Sequence, residues 1–112
     1  MDIKTEMTEG ITVLFVREDR LDANNSEELK VELRRLFESG TKDVVIDLKE
    51  VLFIDSSGLG VLVSGYKNAS ILHGSLKLSN LQSQVRSMFE LTRLHRVFDI
   101  YTIVDDALKS YR

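Results

Sequence analysis

The chain opens with two short stretches in which side chains of different polarity alternate, the pattern of half-buried β-strands. Ile3, Thr5 and Met7 alternate with more polar residues in the first stretch, and the second contains Ile11, Val13 and Phe15 at every other position. Glu9 and Gly10 lie between them, and glycine supplies the positive φ that tight hairpin turns need. Leu14 and Val16 are also apolar. The sequence therefore predicts a hairpin whose second strand is covered on both faces and lies inside a sheet.

Helical spacing and short apolar runs alternate through the rest of the chain. A first helix is predicted after Ser26, which is placed as its N-cap, with Gly40 just beyond its end. A second helix is expected from about Ser57 to Leu72, with Gly74 capping it. The apolar positions of the first helix follow the i, i+4, i+7, i+8 pattern of one buried face, and they are Leu29, Leu33, Leu36 and Phe37.

Strands are predicted between and after these helices. The apolar, β-branched run 44–48 is typical of a strand buried on both faces, and further strands are expected at 75–79 and 97–101. A third helix carries Leu81, Val85, Met88 and Phe89, and a closing helix carries Val104, Ala107 and Leu108. The predicted order is β-β-α-β-α-β-α-β-α. This order indicates an α/β fold of one domain spanning residues 1–112, with a mixed sheet of four to five strands and about four helices packed on it.

Composition and charge exclude several classes of function. The chain has 15 Lys and Arg against 18 Asp and Glu, a net charge of −3, which argues against the basic stripe of a nucleic-acid-binding module. No apolar run approaches the roughly 20 residues of a membrane span, and the first residues lack the plan of a signal peptide. Without cysteine, and with two separated histidines, the chain offers no thiol chemistry and little material for a metal site. We expect a cytoplasmic protein that binds neither nucleic acid nor membrane and needs no cofactor or metal.

One segment contains residues that packing of the hydrophobic core does not explain. It consists of Asp55, Ser56, Ser57, Gly58, Leu59 and Gly60, and it follows a buried apolar run at a predicted helix start. A helix N-terminus leaves backbone N–H groups unpaired and stabilises negative charge, so a phosphate on either serine should not melt the helix. Each glycine costs about 1 kcal/mol of helix propensity relative to alanine, which suggests the close approach of another backbone. The simpler alternative is that Asp and Ser act only as N-caps.

These residues resemble the phosphoacceptor segment of bacterial anti-sigma factor antagonists of the STAS domain family. The resemblance covers nearly the whole chain. Leu21-Asp22-Ala23 resembles the family's Leu-Asp loop, 74–78 its Gly-Gly strand entry, and 89–94 its Thr-Gly-Leu turn. Two features depart from the family: Asp19-Arg20 replaces a usual glycine-containing stretch, and Arg93 stands where the turn usually has glycine.

The resemblance implies a partner switch without catalysis in the chain itself. The unphosphorylated domain would bind an anti-sigma factor that is also a serine kinase, and phosphorylation would end that binding until a PP2C-type phosphatase restores the hydroxyl. Ser56 matches the family's phosphoacceptor, and Ser57 is the second choice. The implied partner-binding surface comprises Asp22, Ala23, Asn24, Asn25, Asp55, Ser57, Gly58, Leu59 and Gly60.

Three other functions remain open from the sequence. The same module could control secretion, motility or another signalling assembly without a sigma factor. A small enzyme with Ser56 as nucleophile would need a general base, and no histidine lies near that serine in the sequence. A nucleotide site at the Ser-Ser-Gly helix start would lack the Gly-x-x-x-x-Gly-Lys pattern of phosphate-binding loops.

Overall fold

A five-stranded mixed sheet and four helices form the fold in the computed structural model, which describes residues 1–112. The strands are β1 (Ile3–Thr8), β2 (Ile11–Val16), β3 (Arg20–Leu21), β4 (Asp43–Asp47), β5 (Phe53–Ile54), β6 (Ser75–Ser79) and β7 (Ile100–Tyr101). The helices are α1 (Ser26–Glu38), α2 (Ser56–Ile71), α3 (Ser83–Leu91) and α4 (Val104–Lys109). No helix is both long and apolar enough to cross a bilayer.

The main sheet has the order β1-β2-β4-β6-β7, and its first two strands form the predicted hairpin. β1 is antiparallel to β2, with Ile3 opposite Val16, whereas β2, β4, β6 and β7 are mutually parallel. β2 lies between β1 and β4, which confirms that the second hairpin strand is internal. The α/β class and the mixed sheet are confirmed. β3 and β5 form a separate two-stranded parallel sheet that the sequence pattern did not predict.

The two faces of the main sheet are covered unequally. Along β4, Val44 and Ile46 face the larger core, which α1, α2 and α3 cover. Val45 points to the opposite face and packs in a smaller cluster with Ala107 and Leu108 of α4. The predicted apolar face of α1 is fully buried in the larger core. Three helices thus lie on one face of the sheet, and their N-termini follow the carboxyl ends of strands.

Several helix and strand ends differ from those predicted. Ser26 is the first residue of α1 rather than its cap, and the side chain of the preceding Asn25 does not cap the helix. At the end of α2, the positive φ of 60° is at His73 and not at Gly74, which was predicted to cap the helix. Glycine is required at Gly74 for another reason, since a Cβ there would overlap the Lys42 carbonyl. The last strand covers only Ile100–Tyr101 rather than 97–101, because the chain leaves the 3₁₀ turn at Leu94–Arg96 through a further turn and pairs with β6 only from Ile100 on.

Candidate functional site

The small β3–β5 sheet brings the two predicted site segments together. Arg20 pairs with Phe53 and Leu21 with Ile54 in a parallel arrangement, so the chain leaves both strands in the same direction. A further backbone bond from the Leu52 amide to the Asp19 carbonyl, 2.8 Å long, extends the pairing. The loop 22–25 and the segment 55–60 therefore begin side by side although they lie far apart in the sequence.

The Asp55 carboxylate joins these two segments directly. Its Oδ1 accepts a hydrogen bond of 3.0 Å from the Gly58 amide, which is the N-cap contact of α2. Its Oδ2 accepts one of 3.2 Å from the Ala23 amide in the other segment. Asp55 is thus an N-cap, as the simpler interpretation predicts, but it is not only a cap, because its side chain also bridges to the neighbouring loop. One carboxylate satisfies two backbone donors that would otherwise need water.

The two serines differ in their access to solvent. Ser56 is the first residue of α2 and is exposed, whereas Ser57 is half-buried. Both stand at the N-terminal end of a 16-residue helix, where unpaired amides and the helix dipole favour negative charge. No acidic side chain occupies the first turn of α2. Ser56 is therefore the hydroxyl that an enzyme can reach more easily, in a setting that accepts an anion.

The loop 22–25 divides into residues that shape it and residues that it presents. The buried Asp22 accepts hydrogen bonds from the Asn24 amide at 2.9 Å and from Arg20 Nε at 3.2 Å. Asn25 Oδ1 accepts from the Asp22 amide at 3.0 Å, and its Nδ2 donates to the Arg20 carbonyl at 2.8 Å. Ala23 and Asn24 are exposed. Asp22 and Asn25 thus hold the loop in shape, while Ala23 and Asn24 form its accessible surface.

The glycines of the segment have different surroundings. A Cβ on the buried Gly58 would lie 2.5 Å from the Leu21 carbonyl oxygen and 2.7 Å from Ile54 Cγ1. The predicted close approach of a backbone is therefore present at Gly58, and that backbone belongs to β3. A Cβ on Gly60 would meet nothing within 4 Å, and this residue is exposed. Between them, Leu59 is 5% exposed and packs in the core.

Two residues that support the site, Gln84 and Arg20, were not predicted to do so from the sequence. Gln84 of α3 pairs with Ile54 like an additional strand: its Oε1 accepts from the Ile54 amide at 3.0 Å, and its Nε2 donates to the Ile54 carbonyl at 3.3 Å. On the other strand, the Arg20 guanidinium lies 4.4 Å from the centre of the Phe53 ring, within cation–π range. No local pattern marks Gln84, since its partner is 30 residues away. In the sequence, Arg20 stands out only as part of the Asp19-Arg20 stretch that departs from the family pattern.

Comparison with known proteins gives consistent matches. The model of the STAS domain family matches residues 2–107. The anti-sigma-B factor antagonist of Bacillus subtilis is 39% identical over 80 residues, which cover 71% of this chain and 72% of that protein. The crystal structure of an anti-sigma factor antagonist from Mycobacterium paratuberculosis superposes with a TM-score of 0.88, at 25% identity over 97% of this chain and 92% of that one.

A third match concerns a protein that has been solved in two chemical forms. The unphosphorylated form of the anti-sigma factor antagonist SpoIIAA has a TM-score of 0.84 at 20% identity, covering 99% of this chain and 96% of that one. The phosphorylated form of Bacillus SpoIIAA has a TM-score of 0.76 at 19% identity, covering 99% and 100%. At this level of identity both matches concern the fold.

Proposed function

The chain belongs to the STAS domain family, and on that basis we propose that it is an anti-sigma factor antagonist switched by phosphorylation of Ser56. In this proposal residues 1–112 act as one cytoplasmic domain. The unphosphorylated form binds an anti-sigma factor that is also a serine kinase, and the sigma factor is released. Phosphorylation ends the binding, and a PP2C-type phosphatase restores it. The chain itself is the substrate of these enzymes and catalyses nothing.

The observation that carries this proposal is the position of Ser56. Its side chain is exposed at the start of α2, and Asp55 beside it is hydrogen-bonded to Ala23 in the second exposed segment. A protein bound over this surface would cover Ser56 together with Ala23 and Asn24. A modification of Ser56 would then fall inside the interface rather than beside it.

The size of the effect follows from electrostatics. A phosphate adds about −1.5 to −2 charges at neutral pH, and here it would stand next to the Asp55 carboxylate. Burying such a charge without a partner in an interface shaped for a hydroxyl costs several kcal/mol. A loss of about 3–4 kcal/mol corresponds to roughly a 10²- to 10³-fold weaker complex. The fold should persist, because a helix N-terminus tolerates an anion.

The test begins with the partner. The purified chain is used to capture binding proteins from an extract of its source organism, and the captured anti-sigma factor is then purified and incubated with the chain and ATP. We expect mass spectrometry to show one added phosphate in the wild type and in the matched control Ser57→Ala, but none in Ser56→Ala. Modification that persists in Ser56→Ala would contradict the assignment of the phosphoacceptor.

Binding is measured separately by titration calorimetry. Ser56→Asp should weaken the complex with the anti-sigma factor strongly, whereas Ser56→Ala should retain it. Undiminished binding of Ser56→Asp and of the phosphorylated protein would contradict the switch. If the captured kinase belongs to an assembly that contains no sigma factor, the alternative circuit, control of secretion, motility or another signalling assembly, replaces the proposed one.

A further inference from the structure

A groove lies between α1 and α2, and no part of the chain fills it. Its wider part, of about 400 Å³, lies at the C-terminal ends of the two helices and is lined by Arg34, Phe37, Glu38, Asn68, Ile71 and Leu72. A narrower part of about 60 Å³ continues between the helices toward their N-termini, where Lys30, Val61 and Ser64 line it. Arg34 and Asn68 line both parts, so the two parts adjoin and form one groove along the helix pair.

The narrow end of this groove, at Val61 and Ser64, lies within about two helical turns of Ser56 along α2. α1 and α2 begin next to one another, since Asp55 at the start of α2 is hydrogen-bonded to Ala23 just before α1. Gly60, Ser64 and Asn68 lie four residues apart and so share one side of α2. Gly60 is exposed with open space beyond it. At 1.5 Å per residue, the distance from Ser56 to Ile71 is about 22 Å, which one partner helix can span.

The charged residues that line the groove favour binding of a negatively charged segment. Lys30 and Arg34 form one wall, and neither takes part in a salt bridge. Glu38 is the only carboxylate among the lining residues. The groove is thus cationic on a protein whose net charge is −3. Complementarity favours an occupant that carries carboxylates opposite Lys30 and Arg34.

The far end of the groove is apolar. Ile71, the last residue of α2, is 74% exposed and the following Leu72 is 38% exposed, although the other apolar residues of this helix are mostly covered. On the α2 side Ser64 lines the narrower part, and the exposed Gly60 lies one turn before it on the same side of the helix, so a second helix can approach closely. An amphipathic helix lying in a groove contacts it through side chains spaced at i, i+3, i+4 and i+7. Such a helix would place apolar side chains over Ile71 and acidic ones over the cationic wall.

We propose that the α1–α2 groove receives an acidic amphipathic helix of the same anti-sigma factor that covers Ser56. This inference rests on the proposed function, because it takes the partner from it. It adds a second contact region, about 20 Å from the phosphorylated residue at its far end. Binding then depends on two regions, of which only the first is modified.

The test compares groove variants with a charge-matched control. We expect Lys30→Glu/Arg34→Glu and Ile71→Asp each to raise the Kd for the purified anti-sigma factor about tenfold or more. The control Lys4→Glu/Lys109→Glu changes the net charge equally but lies on the α4 side of the sheet, and it should bind as the wild type does. Circular dichroism and thermal unfolding of each variant show that a loss of binding does not come from unfolding.

The outcomes separate the two proposals. If Ser56→Asp loses binding while the groove variants bind as the wild type does, the groove inference is overturned and the proposed function stands. If the groove variants lose binding and Ser56→Asp does not, the groove stands and the switch fails. If sedimentation shows a dimer that Ile71→Asp abolishes, a second copy of the chain occupies the groove and the inference is overturned.

A synthetic probe covers the remaining case, in which no anti-sigma factor binds the wild type and the proposed function fails. The probe is a fluorescent helical peptide of about 16 residues, the length that spans the groove, with Glu on one face and Leu on the other. Binding that Lys30→Glu/Arg34→Glu abolishes, together with no binding of a Lys-for-Glu counterpart peptide, supports the cationic groove. Absence of binding to the wild type overturns it.

Discussion

One methyl group added at Gly58 should destabilise the fold, and the same group added at Gly60 should stabilise it. Both residues lie in α2, and Ala is favoured over Gly in a helix by about 1 kcal/mol at each position. At Gly60 the new Cβ meets nothing within 4 Å, so the full gain should appear. The two substitutions therefore share their chemistry and differ only in their surroundings.

At Gly58 the gain is opposed by a steric cost. The new Cβ would lie 2.5 Å from the Leu21 carbonyl oxygen, which is held by β3–β5 pairing and cannot rotate away as a side chain can. Overpacking of this kind costs about 1–3 kcal/mol. After the helix gain is subtracted, Gly58→Ala should lower the free energy of unfolding by up to about 2 kcal/mol, while Gly60→Ala should raise it by about 1 kcal/mol.

Urea unfolding followed by circular dichroism measures both changes. The two midpoints should move in opposite directions around the wild-type value, with an unchanged m-value that shows a comparable unfolding transition. If Gly58→Ala is as stable as Gly60→Ala, the β3 backbone is free to move away from α2, and the account of the site as two rigidly apposed segments is refuted.

Three further substitutions test contacts that support the fold and the site. Gln84→Ala removes both hydrogen bonds to the Ile54 backbone and should cost about 1–3 kcal/mol of stability in urea unfolding. Arg93→Gly should raise the thermal midpoint, because Arg93 has a φ of 61° that glycine adopts without steric cost. A midpoint that is unchanged or lower would contradict this. Burial raises the pKa of Tyr111 to about 12 despite its hydrogen bond to Ser75. In the unfolded chain the tyrosine hydroxyl loses its proton near pH 10. The contribution of Tyr111 to the free energy of unfolding is therefore fully present below pH 10 and is lost as the pH rises to about 12. Ultraviolet titration should show one late tyrosine phase that is absent in Tyr111→Phe, and stability should fall less steeply in that variant across this range.

Long elements with repeated apolar positions were predictable from the sequence, and short pairings were not. The face of α1 follows from leucines spaced over 13 residues, a signal long enough to define a helical period. β3 and β5 have two residues each, which is too few for any periodicity. They form because the backbones on either side of α1 meet, a contact that depends on the folded arrangement.

The same limit applies to the site. The segment 55–60 was recognisable because its composition is unusual for a helix start and resembles a family motif. Gln84 was not recognisable, because its side chain is hydrogen-bonded to backbone atoms of Ile54. Backbone atoms are the same in every residue, so such a contact produces no pattern in the sequence. His73 shows a third case: packing of Gly74 against the Lys42 backbone places the positive φ one residue earlier than glycine content predicts.

The bridge made by Asp55 gives the protein an internal spectroscopic reporter. The Ala23 amide donates a hydrogen bond to Asp55 Oδ2. Ala23 itself carries no side-chain group that can be phosphorylated. Any event at Ser56 that draws the carboxylate away must release this amide, and its resonance and its rate of exchange with solvent would then change. The signal of the Ala23 amide, 33 positions before Ser56, would thus show whether the loop 22–25 separates from the segment 55–60 when Ser56 is modified.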